Sequence, residues 1–117
     1  MSFAFEVGDT TVWSPALRVG DLYVRMVSDV ATLLGMPTGL VPVASDMWDI
    51  DLDPFEALVR EMFHLYFETT HQVMKGMIAG VLAPSIVLLE RGGRVLDTRS
   101  AAETNFVARA RDLSMAP

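Results

Sequence analysis

Both histidines of the 117-residue chain lie in one short stretch, and each follows a glutamate by three residues. Glu61, His64, Glu68 and His71 read as two Glu-x-x-His units in tandem. On one continuous helix, at 100° per residue, the four would project from a stripe about 80° wide. A carboxylate and an imidazole three or four residues apart can share a metal ion, and Glu-x-x-His on facing helices builds carboxylate-bridged di-metal bundles. The same pair can serve as general acid and base. These four residues are the candidate catalytic set, and His64 with Glu68 is where a divalent metal would sit. No second helix of this kind is present, so a di-metal site would need a second copy of the chain. The plainer account is a solvated helix face that binds no cofactor. Ala57 and Lys75 share the stripe, while Leu58, Met62, Val73 and Met77 lie on the other side.

A second group is acidic. Asp49-x-Asp51-x-Asp53 opens like a calcium loop, which then needs Gly at position 6 and Glu at position 12. The chain has Pro54 and Arg60 there, which excludes an EF-hand. What remains is an alternation: Trp48, Ile50 and Leu52 point one way, and Asp49, Asp51 and Asp53 the other. This is the pattern of a short edge strand, or of an extended segment docked by its apolar side. Residues 1–53 hold eight acids and two bases, and residues 54–117 hold seven of each, so the whole net charge of −6 sits in the first half. Asp46, Trp48, Asp49 and Asp51 are the candidate partner-binding residues, because an acidic patch beside apolar groups steers a basic protein. The basic tail beyond Arg91 is a second place where those acids could find a counter-charge.

Two further features carry shape rather than chemistry. Gly76-x-x-x-Gly80 lets a helix or a bulky ring approach closely, in the core or at a homodimer seam. Trp13, Trp48, Phe55, Phe63, Tyr66 and Phe67, with Met26, Met62, Met74 and Met77, fit apolar stripes of a core, or the lining of an apolar pocket. No nucleophile elbow, P-loop, Rossmann glycine pattern or His-Glu-x-x-His is present. The residues leave open whether the chain is an enzyme.

The elements that must position these residues follow from periodicity. Residues 3–7 and 10–13 predict a short hairpin around Gly8-Asp9. Ser14-Pro15 is an N-cap with proline at the first helical position, and the apolar rhythm from Val19 to Leu34 predicts a helix ended by Gly35. Residues 36–43, with two prolines and a glycine, read as a loop. Asp53-Pro54-Phe55-Glu56 is a capping box opening a second long helix, with a weak point at Thr69-Thr70 and a kink or end at Pro84. Arg91-Gly92-Gly93 stops it. Residues 94–99 connect to a last helix from Ala101 to about Leu113, capped by Ser100 and Glu103 and carrying only a thin apolar stripe.

The expected architecture is one mainly α domain spanning 1–117. Two long packed helices, about 15–34 and 54–90, carry a short N-terminal β-hairpin, with 1–93 as core and 94–117 as a connector and peripheral C-terminal helix. Hydrophobic residues make up 51% of the chain, enough for a core and too many for disorder. There is no cysteine for a disulfide, a thiolate metal site or thiol chemistry. The acidity argues against nucleic acid as a ligand. The longest uncharged apolar run, residues 76–89, is short of a membrane span of about 20 residues. No secretion signal is visible, so a cytoplasmic, membrane-free setting is expected. The thin last stripe and the glycine seam point to a homodimer.

Three segments carry a resemblance: residues 7–15 (Val-Gly-Asp-Thr-Thr-Val-Trp-Ser-Pro), residues 35–42 (Gly-Met-Pro-Thr-Gly-Leu-Val-Pro) and residues 49–55 (Asp-Ile-Asp-Leu-Asp-Pro-Phe). The chain resembles, over residues 3 to about 90, an uncharacterised family of small actinobacterial proteins of unknown function. These motifs are turns, caps and packing residues. The resemblance implies a bacterial cytoplasmic setting and brings no activity, cofactor or site. The leading expectation is a small acidic accessory protein that engages a protein partner, immunity-like by analogy. The alternative is a small secondary-metabolism enzyme using the His/Glu helix face beside an apolar pocket.

Overall fold

The computed structural model describes residues 3–117. Strands β1 (Ala4–Val7) and β2 (Thr10–Trp13) form the expected antiparallel hairpin, turned by Gly8 at φ 58°. Phe5 stands opposite Trp13 and Glu6 opposite Thr11, so Val12 is an extra, bulged residue. The bulge lets two consecutive residues, Val12 and Trp13, both be buried. At the bulge the Val12 carbonyl accepts a hydrogen bond from Arg91 Nη1 at 2.7 Å.

Helix α1 (Leu17–Leu34) starts two residues later than Pro15 suggests. Its N-cap is Ala16, because the Pro15 carbonyl is used by the Phe3 N–H at 2.8 Å. Gly35 ends it in the left-handed region at φ 67°, and its N–H reaches the carbonyls of Ala31 and Thr32. Gly20, Tyr23, Val24, Val27 and Ala31 form the buried face. Val19, Leu22, Met26 and Leu33, which share the apolar rhythm, remain exposed. The apolar stripe is wider than the core it covers.

The expectation of a mainly α domain with a single hairpin is overturned: the fold is α+β. Residues read as a loop form strand β3 (Leu40–Ala44), which pairs antiparallel with β4 (Met47–Ile50). Strand β4 then lies parallel to β1, giving a four-stranded mixed sheet in the order β2-β1-β4-β3. Pro42 is tolerated because β3 is an edge strand, where a missing N–H need not break a ladder. Gly39 is required at the start of β3. Its φ is 77°, and a Cβ there would come within 2.6 Å of the Asp51 carbonyl oxygen and 2.7 Å of the Phe55 nitrogen.

The second long helix is also corrected, since it is two helices. Helix α2 (Leu52–Glu68) ends at Thr69, whose extended backbone (φ −70°, ψ 141°) breaks the run. Helix α3 (Gln72–Arg91) turns back and packs on α2. β-branched threonines weaken a helix at this point, and Lys75 secures the turn by donating from Nζ to the Tyr66 carbonyl at 3.0 Å. Pro84 does not end α3. The residue four positions back, Gly80, is exposed, so water can replace the hydrogen bond that proline removes. By length and composition α3 could cross a membrane; in this fold eight of its residues are buried. Asp53 and Glu56 do not form the expected capping box. The N-cap is Asp51, without a side-chain cap bond, and both acids bind Arg94 instead. A guanidinium makes a stronger bond to a carboxylate than a backbone N–H does.

Helix α4 (Ala101–Arg111) is capped as expected, with the Glu103 N–H donating to Ser100 Oγ at 3.1 Å. Its Phe106, Val107 and Ala110 join the main core, together with Leu96 and Met115. The tail closes the molecule at the other end of the sheet, where the Ser14 N–H donates to the Ala116 carbonyl at 2.8 Å.

The core is centred on Phe5, Phe55, Leu58, Met62, Leu82, Ile86, Leu88 and Leu89, all fully buried. Phe5 stacks on Trp13 with ring centroids 5.3 Å apart, and Tyr23 meets each ring edge-on at 5.6 Å. Ser85 Oγ donates to the Val81 carbonyl at 2.8 Å, which leaves the Tyr23 hydroxyl as donor to Ser85 Oγ at 2.6 Å. Burial pushes the Tyr23 hydroxyl far above its ordinary pKa of 10. The hydroxyl stays neutral in the fold where it would ionise in the unfolded chain, so stability is lost as pH rises above 10. Tyr23→Phe is expected to cost about 0.5–1.5 kcal/mol at neutral pH. Urea unfolding should then show a shallower alkaline loss than wild type between about pH 8 and about pH 11. An equally steep loss would contradict this role for Tyr23.

Candidate functional site

Two regions hold the residues singled out by the sequence. The first is a cleft of about 500 Å³ between the second half of α2, the connector 94–99 and the start of α4. Phe63, Phe67 and Leu96 form its apolar floor, and Arg60, His64, Glu68, Asp97, Arg99 and Glu103 its charged rim. Helical spacing brings His64 Nε2 to 3.1 Å from Glu68 Oε1, with both side chains about two-thirds exposed (64% and 67%). Edge-to-face contacts hold the floor in place: Phe63 to Phe67 at 4.9 Å and Phe67 to Phe106 at 5.9 Å.

The expected four-residue stripe does not assemble. The break after Glu68 takes His71 out of α2 and makes it the N-cap of α3, where its Nδ1 accepts from the Met74 N–H at 3.3 Å. His71 therefore does a structural job, satisfying one of the free N–H groups of a helix start. Glu61 is exposed on α2 and does not line the cleft. Among the described residues no group of three or more His, Asp or Glu side chains is placed to hold a metal ion. The His64–Glu68 pair alone can move a proton or orient a polar ligand.

Sequence reasoning missed Asp97 and Arg99 as neighbours of His64, because only the fold brings the connector against α2; Arg60, one helical turn before His64 on α2, was legible from its spacing. Two rim groups are already committed. Arg60 Nη2 donates to Glu56 Oε2 at 2.8 Å, and Glu103 Oε1 accepts the Arg99 N–H at 2.7 Å. Glu56 is held below the usual carboxylate range, first by the hydrogen bond from Arg94 and then by the nearby positive charge of Arg60 and Arg94.

The second region is the outer face of the sheet. The registers align Thr11, Glu6, Asp49 and Val41 in one row across β2, β1, β4 and β3. In the next row Trp13, Phe5 and Trp48 turn their rings to the core side, while Pro42 at the sheet edge is exposed. Asp49 is exposed, and Glu6 beside it accepts a hydrogen bond from Thr11 Oγ1 at 3.2 Å. Neither carboxylate meets a basic side chain among the described residues. Val41 and Val43 on the edge strand leave half or more of their surface in water. Asp51 is exposed just past the end of β4, and Asp46 lies in the turn between β3 and β4, its carbonyl accepting the Ala4 N–H at 2.8 Å. Trp48 is half-buried against the core, so it does not share a face with Asp49. Glu6 was missed; its alternation with Phe5 and Val7 marks an outward side chain, but its neighbour across the sheet is invisible in the sequence.

His71→Ala is expected to destabilise the chain by about 1 kcal/mol through loss of the cap, and His71→Asn to restore it. Thermal unfolding checks this; an unchanged transition in the alanine variant would contradict the capping role.

No curated protein and no solved structure shows a significant match to the chain. A family described only as of unknown function matches all of it, so the resemblance extends through the tail as well as the three motifs. The chain belongs to this family of unknown function, DUF6086, over residues 1–117.

Proposed function

We propose that the protein is a non-catalytic accessory protein whose outer sheet face binds a basic surface on a protein partner. The observation that carries this reading is the pairing of Glu6 and Asp49 side by side on the two central strands. Like charges on neighbouring strands destabilise a sheet by some tenths of a kcal/mol. A cost kept without a neutralising neighbour is what a binding site looks like. The bare apolar groups Val41 and Val43 beside them supply surface that a partner can dehydrate. The unbalanced acids of the first half add long-range steering. An immunity-like role in a bacterial cytoplasm fits this chemistry by analogy.

The test is a partner captured by the immobilised full chain from producing cells, purified and titrated by calorimetry. Affinity is expected to fall as salt rises, and Asp49→Lys with Asp51→Lys is expected to weaken binding at least about tenfold, which is about 1.4 kcal/mol. Affinity indifferent both to salt and to that charge reversal would contradict the proposal.

A second reading rests on the cleft, which places the His64–Glu68 pair over an aromatic floor and beside the Arg99 guanidinium. That arrangement suits acid–base work on a small polar ligand. Thermal-shift screening against small organic acids and amines tests it. A hit abolished by His64→Ala would support it, and hits unaffected by that change would remove it.

A further inference from the structure

Helix α1 carries an exposed apolar stripe beside its charged residues, and the first half of α3 carries a shorter one. Val19, Leu22, Met26 and Leu33 are exposed on α1, as are Val73 and Met77 on α3. At 100° per residue the four α1 positions fall within a stripe about 60° wide. The two helices lie side by side and run antiparallel. Arg91, at the end of α3, reaches Val12 just before α1, and Tyr23 in α1 meets Ser85 in α3. Gly76 and Gly80 are exposed on the same side of α3 as Val73 and Met77, and a Cβ built at either would meet nothing within 4 Å. Packing within the chain therefore does not require glycine at these positions, which removes the core explanation for the Gly-x-x-x-Gly spacing.

We infer that the α1 stripe pairs with a second copy of the chain, α1 against α1 antiparallel, with a two-fold axis at Met26. The first reason is the spacing. Apolar residues 19, 22, 26, 30 and 33, of which Val30 is partly buried against the core and the other four are exposed, are separated by 3, 4, 4 and 3 positions, a pattern that reads the same in both directions. An isologous antiparallel contact needs that symmetry. It sets Val19 opposite Leu33 of the second copy, Leu22 opposite Val30, and Met26 against itself.

The second reason is charge. Arg25 and Asp29 lie on one flank of the stripe, and that flank faces its own copy under the two-fold. Arg25 of each copy then meets Asp29 of the other, about 3 Å apart along the helix axis. Within the chain Arg25 holds only an exposed pair with Asp21, and Asp29 has no ion pair among the described residues.

The net charge of −6 opposes an anionic bilayer as the occupant.

The chain has no cysteine, so a single introduced thiol reports unambiguously. Wild type is expected to sediment as a dimer of 12.9 kDa chains. Met26→Cys should cross-link with a short thiol-reactive reagent about a hundredfold faster than Val95→Cys, the ratio of a millimolar effective concentration to ~10 µM bulk. Leu22→Glu and Leu33→Glu alter exposed residues and should give folded monomers. A wild-type monomer at 100 µM overturns the inference. So does a dimer indifferent to Leu22→Glu, equal cross-linking at positions 26 and 95, or a monomer that uses this face for lipid vesicles or an unrelated protein.

Discussion

The parallel pairing of β1 with β4 is the constraint on which the rest of the molecule depends. It joins the first strand of the chain to one more than forty residues away, with Phe5 beside Trp48 and Glu6 beside Asp49. On one side of the sheet this register sets Trp48 beside Phe5 and Trp13 in an aromatic layer that Tyr23 of α1 packs against. On the other side it makes neighbours of two carboxylates. A slip of one residue would exchange the two faces. Core and acidic row are therefore products of a single register.

The tail explains why the acidity is concentrated there. Arg94 binds Asp53 and Glu56, Arg60 binds Glu56, and Arg111 makes a two-point contact with Glu90. Arg91 is spent on a backbone carbonyl of β2. These contacts bring the basic second half to rest largely against its own acids and fasten the connector and α4 to the helices. Most of them are exposed, so each adds little stability, but together they leave few cations to neutralise Glu6, Asp49 and Asp51. Of the acids in residues 1–53, Glu6, Asp9, Asp46, Asp49 and Asp51 thus remain as surface charge on and around the sheet.

Much of this was legible in the sequence where the signal is local. The hairpin turn at Gly8, the stop at Gly35, the Ser100 cap and the alternation of Trp48, Asp49 and Ile50 all appear as read. The misreadings share a cause, since tertiary context decided each of them. Pro42 argues against a strand unless the strand is at an edge, and edge position is not encoded locally. Asp53 and Glu56 spell a capping box, but a guanidinium from residue 94 outbids the backbone. Thr69-Thr70 weakens a helix without dictating whether it bends or reverses, and that choice decided whether His71 would join His64. Half of the α1 stripe proved to be a second surface, because periodicity reports apolar residues without saying what covers them.

The most direct measurement replaces Asp49, and separately His64, with a photo-cross-linking amino acid in producing cells. The account predicts a covalent adduct with one basic protein from position 49 and none from position 64. An adduct from position 64 with none from position 49 would contradict it and move the functional site to the cleft beside α4.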